Sequence, residues 1–206
     1  MRGLEQVPWL YDLLAGLQDR TGLVRWRQWL ARGARGRVLD LGTGTGRMLP
    51  HYGAGVRVVG LDPSPAALVR ARRRAGRVPL VVGRAEALPF RDGAFDTVVS
   101  SLVLCSVADP DRALTEIRRV LAPGGCLRAV EHVRSTRRWR ARVQDRLQPL
   151  WTWLTGGCHP NRETEAAVER AGFCIEPAER RARGDMRRFA AWTAGPATRA
   201  QLTGAS

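Results

Sequence analysis

Apolar residues in the first 30 positions recur at three- and four-residue steps: Leu4, Val7, Leu10, Leu13, Leu14 and Leu17, then, after Thr21-Gly22, Leu23, Trp26, Trp29 and Leu30. The spacing predicts two short amphipathic helices, which make residues 1–34 a unit of their own. Trp9, Trp26 and Trp29 stand beside Arg25 and Arg27, so these helices either pack on the rest of the chain and cover its site or lie in a membrane interface.

Past the breaker run 32–37 the rhythm changes. Short β-branched runs alternate with helical spacing, the signature of a parallel sheet built from βαβ units. Strands are expected at 37–41, 56–61, 80–83, 95–104 and 126–133, with two late ones near 173–177 and 188–194. The run 95–104, apolar at six of its ten positions, reads as a central strand buried on both faces. Helices are expected from Gly46 onward, at 65–75 behind the cap-like Asp62-Pro63-Ser64, at 110–121 before Pro123-Gly124-Gly125, and at 162–171. A basic, Trp-bearing insertion occupies about 134–161. The reading is one α/β domain over 35–206, a size that suits 206 residues with 44% hydrophobic content.

Charge adds a partner class but no chemistry. All 34 basic residues are arginine, against 19 acids, giving a formal charge of +15. Such a field concentrates anions, whether nucleic acid, acidic lipid or substrate, although the arginines are scattered rather than gathered into one tail. Cys105, Cys126, Cys158 and Cys174 stand far apart without a C-x-x-C pair, so neither a metal cluster nor a disulfide framework is suggested and a reducing cytoplasm fits. No apolar stretch reaches the roughly 18 residues of a spanning helix, and the start lacks an apolar segment with a cleavage site. The expectation is a cytoplasmic protein, with peripheral contact to an anionic membrane left open, as monomer or dimer.

Candidate chemistry begins at the exit of the first strand. Gly42, Gly44 and Gly46 let backbone N–H groups approach a ligand that a Cβ would exclude, at the crevice where open α/β sheets bind ligands. A dinucleotide fingerprint would place its third glycine at position 47, which is Arg47. Asp40, just before the loop, would repel a pyrophosphate but suits a ligand bearing an ammonium and a sulfonium. Asp62 ends the second strand, where a carboxylate can accept both hydroxyls of a ribose.

Five segments in order, Val38-Leu39-Asp40-Leu41-Gly42-Thr43-Gly44-Thr45-Gly46, Val59-Gly60-Leu61-Asp62-Pro63-Ser64, Ala85-Glu86-Ala87-Leu88-Pro89-Phe90, Phe95-Asp96 and Leu121-Ala122-Pro123-Gly124-Gly125, resemble the successive motifs of class I S-adenosylmethionine-dependent methyltransferases. The resemblance covers about residues 35–195. It implies a Rossmann-like, doubly wound, seven-stranded sheet with one antiparallel strand and helices on both faces. It also implies S-adenosylmethionine as cofactor, leaving as S-adenosylhomocysteine, held by Asp40, Gly42, Thr43, Gly44, Gly46, Asp62, Pro63, Ala85, Glu86 and Ser101. One position departs from the pattern: Arg84 stands where an Asp commonly accepts the adenine amino group, which leaves adenine to the Ala85 backbone and Glu86.

The second half carries the acceptor signals. Leu104-Cys105-Ser106-Val107, Glu131-His132-Val133, Gly156-Gly157-Cys158-His159 and Asn161-Arg162-Glu163-Thr164 are similar to a subgroup that includes methyltransferases of small exogenous thiols. The resemblance implies a small-molecule acceptor, foremost an apolar thiol, with a phospholipid headgroup amine or a non-catalytic binding module as alternatives. A thiol ionises near pH 8.5 and is strongly nucleophilic once ionised, so little base catalysis is required. His132, after the fifth strand, is the candidate catalytic residue and Tyr11, Cys105, His132, Cys158 and His159 the candidate acceptor contacts, each against a plain packing alternative. Cys158-His159 has the look of half a metal site but lacks a partner pair, so no metal is expected. No nucleic-acid target is expected either, since 100–105 offers no side chain to grip a base amine.

Overall fold

A computed structural model describes residues 23–193. The helix expected over 4–17, with Trp9 and Tyr11, lies outside the described residues. The chain runs α1 (Val24–Arg32), β1 (Arg37–Leu41), β2 (Arg57–Asp62), α2 (Pro65–Ala75), β3 (Leu80–Val82), β4 (Phe95–Ser101), α3 (Pro110–Val120), β5 (Leu121–His132), α4 (Arg138–Leu154), α5 (Thr164–Arg170), β6 (Cys174–Ile175), β7 (Arg181–Arg183) and β8 (Met186–Trp192). One mixed sheet has the order β3-β2-β1-β4-β5-β8-β6, with β7 paired to β8 off that path. Strands β1 to β5 are mutually parallel, and β8 runs antiparallel to β5, β6 and β7.

Neighbouring residues on the central strands supply opposite faces, as a two-residue period requires. Leu39, Val98, Leu127 and Ala129 join a core with Leu114, Ile117 and Val168 of α3 and α5. Val38, Val99 and Val130 join the other with Leu30 and Ala31 of α1 and Ala75 of α2. That is why adjacent positions on one strand, Val38-Leu39 in β1 and Val98-Val99 in β4, are both apolar. Helix α3 buries Ala113, Leu114, Ile117 and Val120 completely, each large side chain contributing about 1.5–3 kcal/mol, and starts at Pro110 behind Asp109, whose carboxylate accepts from the Arg112 N–H at 3.0 Å.

Three local expectations are corrected, and the insertion, for which no element was expected, gains one. No helix starts at Gly46: the three loop glycines hold positive φ and only a 3-10 turn, Leu49–His51, forms around Pro50. Strand β4 stops at Ser101 rather than 104, because Leu102 takes φ 62°. The sheet has eight strands rather than seven; β7 is exposed throughout, so no apolar alternation marks it, and it joins β8 through a two-residue turn with Gly184 at φ 59°. The insertion is mostly one helix, α4. Its outer stripe, Trp139, Val143, Leu147, Leu150 and Leu154, is exposed and apolar, while Gln144, Gln148 and Thr152 face inward, half-buried.

Strand β1 is where connection order reverses: β2 and β3 lie on one side, β4 and β5 on the other. The crevice outside the carboxyl ends of β1 and β4 is therefore the place for a ligand.

Candidate active site

Backbone conformation at the exit of β1 depends on glycine. Gly42 has φ 62°, and a Cβ there would stand 2.4 Å from Cγ2 of Val103. Gly44, at φ 55°, has nothing nearer to its Cβ position than its own loop's Gly42 oxygen at 3.9 Å, so its open side faces space rather than protein. Asp62 ties this loop to the end of β2, its carboxylate accepting from the Gly44 N–H at 2.9 Å and the Ser64 N–H at 2.8 Å. Burial raises the Asp62 carboxyl above its ordinary range, opposed by these two bonds.

Asp40 sits behind the loop rather than on its open side. It is buried, and its carboxyl oxygens accept from the Thr43 and Tyr52 hydroxyls, the latter at 2.8 Å. Burial pushes its pKa up to about 6, although both hydroxyls and the Arg27 charge pull it down. A folded-state value above the unfolded one of about 3.9 means that stability is fully present below pH 3.9 and is lost as pH rises through 6. The loss is roughly 3 kcal/mol by pH 7. Asp40→Asn removes this titration. Urea unfolding of the cofactor-free protein at pH 4 and pH 7 should therefore show the variant gaining about 3 kcal/mol on wild type between the two. A wild-type-minus-variant difference that stays flat across that window overturns the assignment.

A cavity of about 1050 Å³ opens in front of the loop. Its floor is Gly42, Gly44, Asp62 and Pro63; Arg84, Ala85 and Glu86 form one side, and Ser101, Leu102 and Val103 the other. The far end is closed by Ser106, Val107, Pro149, Thr152, Trp153 and the Gly156, Gly157, His159 segment. Sites for one drug-sized ligand span about 300–1,000 Å³, so there is room here for a cofactor and a second small molecule.

Glu86 and Arg84 stand where adenine was expected, but Glu86 is already engaged: it accepts from the Ala108 N–H at 2.9 Å and lies 3.5 Å from Nε of Arg84. Thr43 and Gly46 support the loop without lining the cavity, as Asp40 does. Cys105, His132 and Cys158 are also absent from the wall and instead cluster with one another behind it. The Cys105 thiol accepts a hydrogen bond from that of Cys158, which together with burial raises it well above its ordinary range, and it does not face the cavity. His159 does reach the wall, with Nδ1 2.7 Å from the Gly157 carbonyl oxygen. A carbonyl only accepts, so Nδ1 carries a proton, and in the neutral imidazole Nε2 is then the acceptor.

The residue that shapes this wall, Glu131, stands in the sequence motif Glu131-His132-Val133 but is given no role there. Glu131, fully buried in β5, accepts at Oε1 from the Ser100 hydroxyl at 2.6 Å and the Val103 and Leu104 N–H groups at 3.1 Å, and at Oε2 from the Cys105 N–H at 3.1 Å. Arg162 completes the frame by donating to the Leu104 and Val107 carbonyls at 2.7 and 2.8 Å. The positive φ of Leu102, on the cavity wall, starts the turn that delivers these groups. An acid in the otherwise apolar run Ala129-Val130-Glu131 was the available signal.

Comparison with known proteins agrees with this geometry. Residues 39–129, which carry the glycine loop, Asp62 and the 84–90 turn, match the family model described as a methyltransferase domain. A solved S-adenosylmethionine-dependent methyltransferase from Thermotoga maritima has the same fold, with a TM-score of 0.64 and 23% identity over 89% of this chain and 98% of that one. Human thiol S-methyltransferase TMT1B is 39% identical over 151 residues, 68% of this chain and 62% of the human protein. The chain belongs to the class I S-adenosylmethionine-dependent methyltransferases.

As in that family, the cofactor is S-adenosylmethionine, and the residues present fit it. The loop has an open glycine face, and a carboxylate at the end of β2 lies on the cavity wall. A second relative of this methyltransferase, the demethylmenaquinone methyltransferase of Thermus thermophilus, is 42% identical over 132 residues, 59% of this chain and 60% of that protein. The chain spans about three-fifths of the length of the curated relatives it matches.

Proposed function

We propose that this protein transfers the methyl group of S-adenosylmethionine to the sulfur of a small apolar thiol. The observation that carries the reading is the cavity lining, in which His159 shares the far end with the apolar Val107, Pro149 and Trp153, and Leu102 and Val103 form the adjoining side. That lining favours an apolar acceptor with one ionisable proton. Likeness to human thiol S-methyltransferase supports the choice of sulfur.

The cofactor supplies a methyl carbon already activated on a sulfonium. What remains for the chain is to hold the acceptor in line, exclude water and receive one proton. Asp62 and the Gly42–Gly44 backbone hold the donor side, the Glu131-framed loop positions the acceptor side, and Nε2 of His159 takes the thiol proton. His159 replaces His132 in this role, since His132 does not reach the cavity.

Methyl transfer is tested by incubating the protein with S-adenosylmethionine and a panel of small thiols, amines, phenols, phosphatidylethanolamine and a demethylated quinol. The expected result is a methyl thioether with S-adenosylhomocysteine. His159→Asn should lower the thiol rate about 10–100-fold at neutral pH and recover most of it above the thiol pKa, where the substrate ionises unaided. Methylated amine or phenol with thiols untouched overturns the reading. A ring-methylated quinol as sole product selects the second one, carbon methylation, which the Thermus relative favours.

A further inference from the structure

Behind the acceptor wall three metal-ligating side chains converge from three segments: Cys105 in the turn after β4, His132 as the last residue of β5, and Cys158 between α4 and α5. Sγ of Cys158 lies 3.6 Å from Sγ of Cys105 and 3.4 Å from Nδ1 of His132, and Sγ of Cys105 lies 4.0 Å from the same nitrogen. We propose that Cys105, His132 and Cys158 bind one zinc ion, which pins the Gly156–His159 side of the cavity to the end of the sheet.

The distances carry the argument. With Zn–S about 2.3 Å and Zn–N about 2.0–2.1 Å, a tetrahedral ion separates two sulfurs by roughly 3.8 Å and a sulfur from a nitrogen by roughly 3.6 Å. All three observed edges fall within about 0.4 Å of one face of that tetrahedron. Two sulfurs and an imidazole select a thiophilic d10 ion over magnesium or calcium. Charge also closes: two thiolates and a neutral imidazole leave a divalent ion with no net charge, which a buried place tolerates.

The ligands are held by groups outside the triad, as bound metals require. Glu131 fixes the Cys105 N–H, the His159 N–H donates to the Cys105 carbonyl at 2.7 Å, and Thr152 donates to the Cys158 carbonyl at 2.9 Å. Ser106, Gly157 and His159, adjacent to the two cysteines, line the cavity. The ion therefore sits one residue behind the acceptor site, as a clasp with a fourth position for water. This inference concerns the wall and does not depend on which acceptor the wall receives.

The test uses the full chain purified with reductant and without chelator. Elemental analysis should return about one zinc per protein. After chelation, cobalt(II) should restore one equivalent with a thiolate charge-transfer band and the intense visible bands of a tetrahedral site. Cys105→Ser and Cys158→Ser should each weaken binding by at least about 100-fold, while Cys174→Ser, at an exposed cysteine outside the cluster, should not. Cobalt spectroscopy of the unaltered protein keeps the test valid where a serine variant fails to fold. Two results overturn the proposal: no zinc and no thiolate–cobalt band in reduced protein, or a resting Cys105–Cys158 disulfide whose reduction yields two thiols that take up no metal.

Discussion

Glu131→Ala is expected to cost at least about 4 kcal/mol of unfolding free energy, because it strands four donors around a side chain that is itself fully buried. Each unsatisfied buried donor costs roughly 1–3 kcal/mol, and a domain has only about 5–15 kcal/mol to lose. Glu131→Gln is the sharper probe. It keeps the three bonds at one oxygen but turns an NH2 toward the Cys105 N–H, so about 2–3 kcal/mol is lost, a fall in Tm of roughly 4–12 °C. Because the 103–105 backbone that Glu131 holds carries Val103 and leads to Ser106 and Val107 on the proposed acceptor side, methyl-transfer kcat/KM should fall further than cofactor affinity does. Calorimetry and isothermal titration with S-adenosylhomocysteine separate the two. A Glu131→Gln protein with wild-type Tm would show that the network contributes nothing.

The second large effect lies on the other side of the crevice. Asp62→Ala should weaken S-adenosylmethionine binding by on the order of 100–1,000-fold, the worth of two charge-assisted hydrogen bonds to the ribose hydroxyls. It also frees the Gly44 and Ser64 N–H groups, so the loop loses its tether to β2. Asp62→Asn separates these contributions: its amide oxygen can still accept from one N–H, and binding should fall by an intermediate factor. Titration calorimetry reads both variants, with circular dichroism confirming the fold. An Asp62→Ala affinity within threefold of wild type would remove Asp62 from the cofactor site.

What the sequence revealed and concealed follows from the range over which each feature is determined. The glycine loop, the Asp62-Pro63-Ser64 turn and helix α2 are set by near neighbours: Ser64 caps α2 by accepting from the Ala67 N–H, three residues on. Such features are legible in a run of ten letters. The helix expected from Gly46 onward is absent because Gly46 takes a positive φ, at a position packed against Ala71, whose Cα would lie 3.1 Å from a Cβ at 46 and which is 25 residues away in sequence. Asp40 read as a ligand contact because its strand-end position is right, but only the fold shows that Tyr52 and Thr43 consume its oxygens. That Cys105 and Cys158 are neighbours is hidden for a plainer reason. Sγ of Cys105 and Cys158 meet across 53 residues, a separation that no short pattern encodes.

The manner in which Glu131 and Arg162 hold the acceptor loop has an evolutionary corollary. Both grip backbone atoms of 103–107, and neither of them depends on what the side chains of Leu102, Val103 or Val107 are. Frame and lining are thus separately variable, and drift in three exchangeable apolar positions can retune acceptor choice while the scaffold that orients them stays put. A lineage built this way can diversify its substrates by changing wallpaper rather than walls.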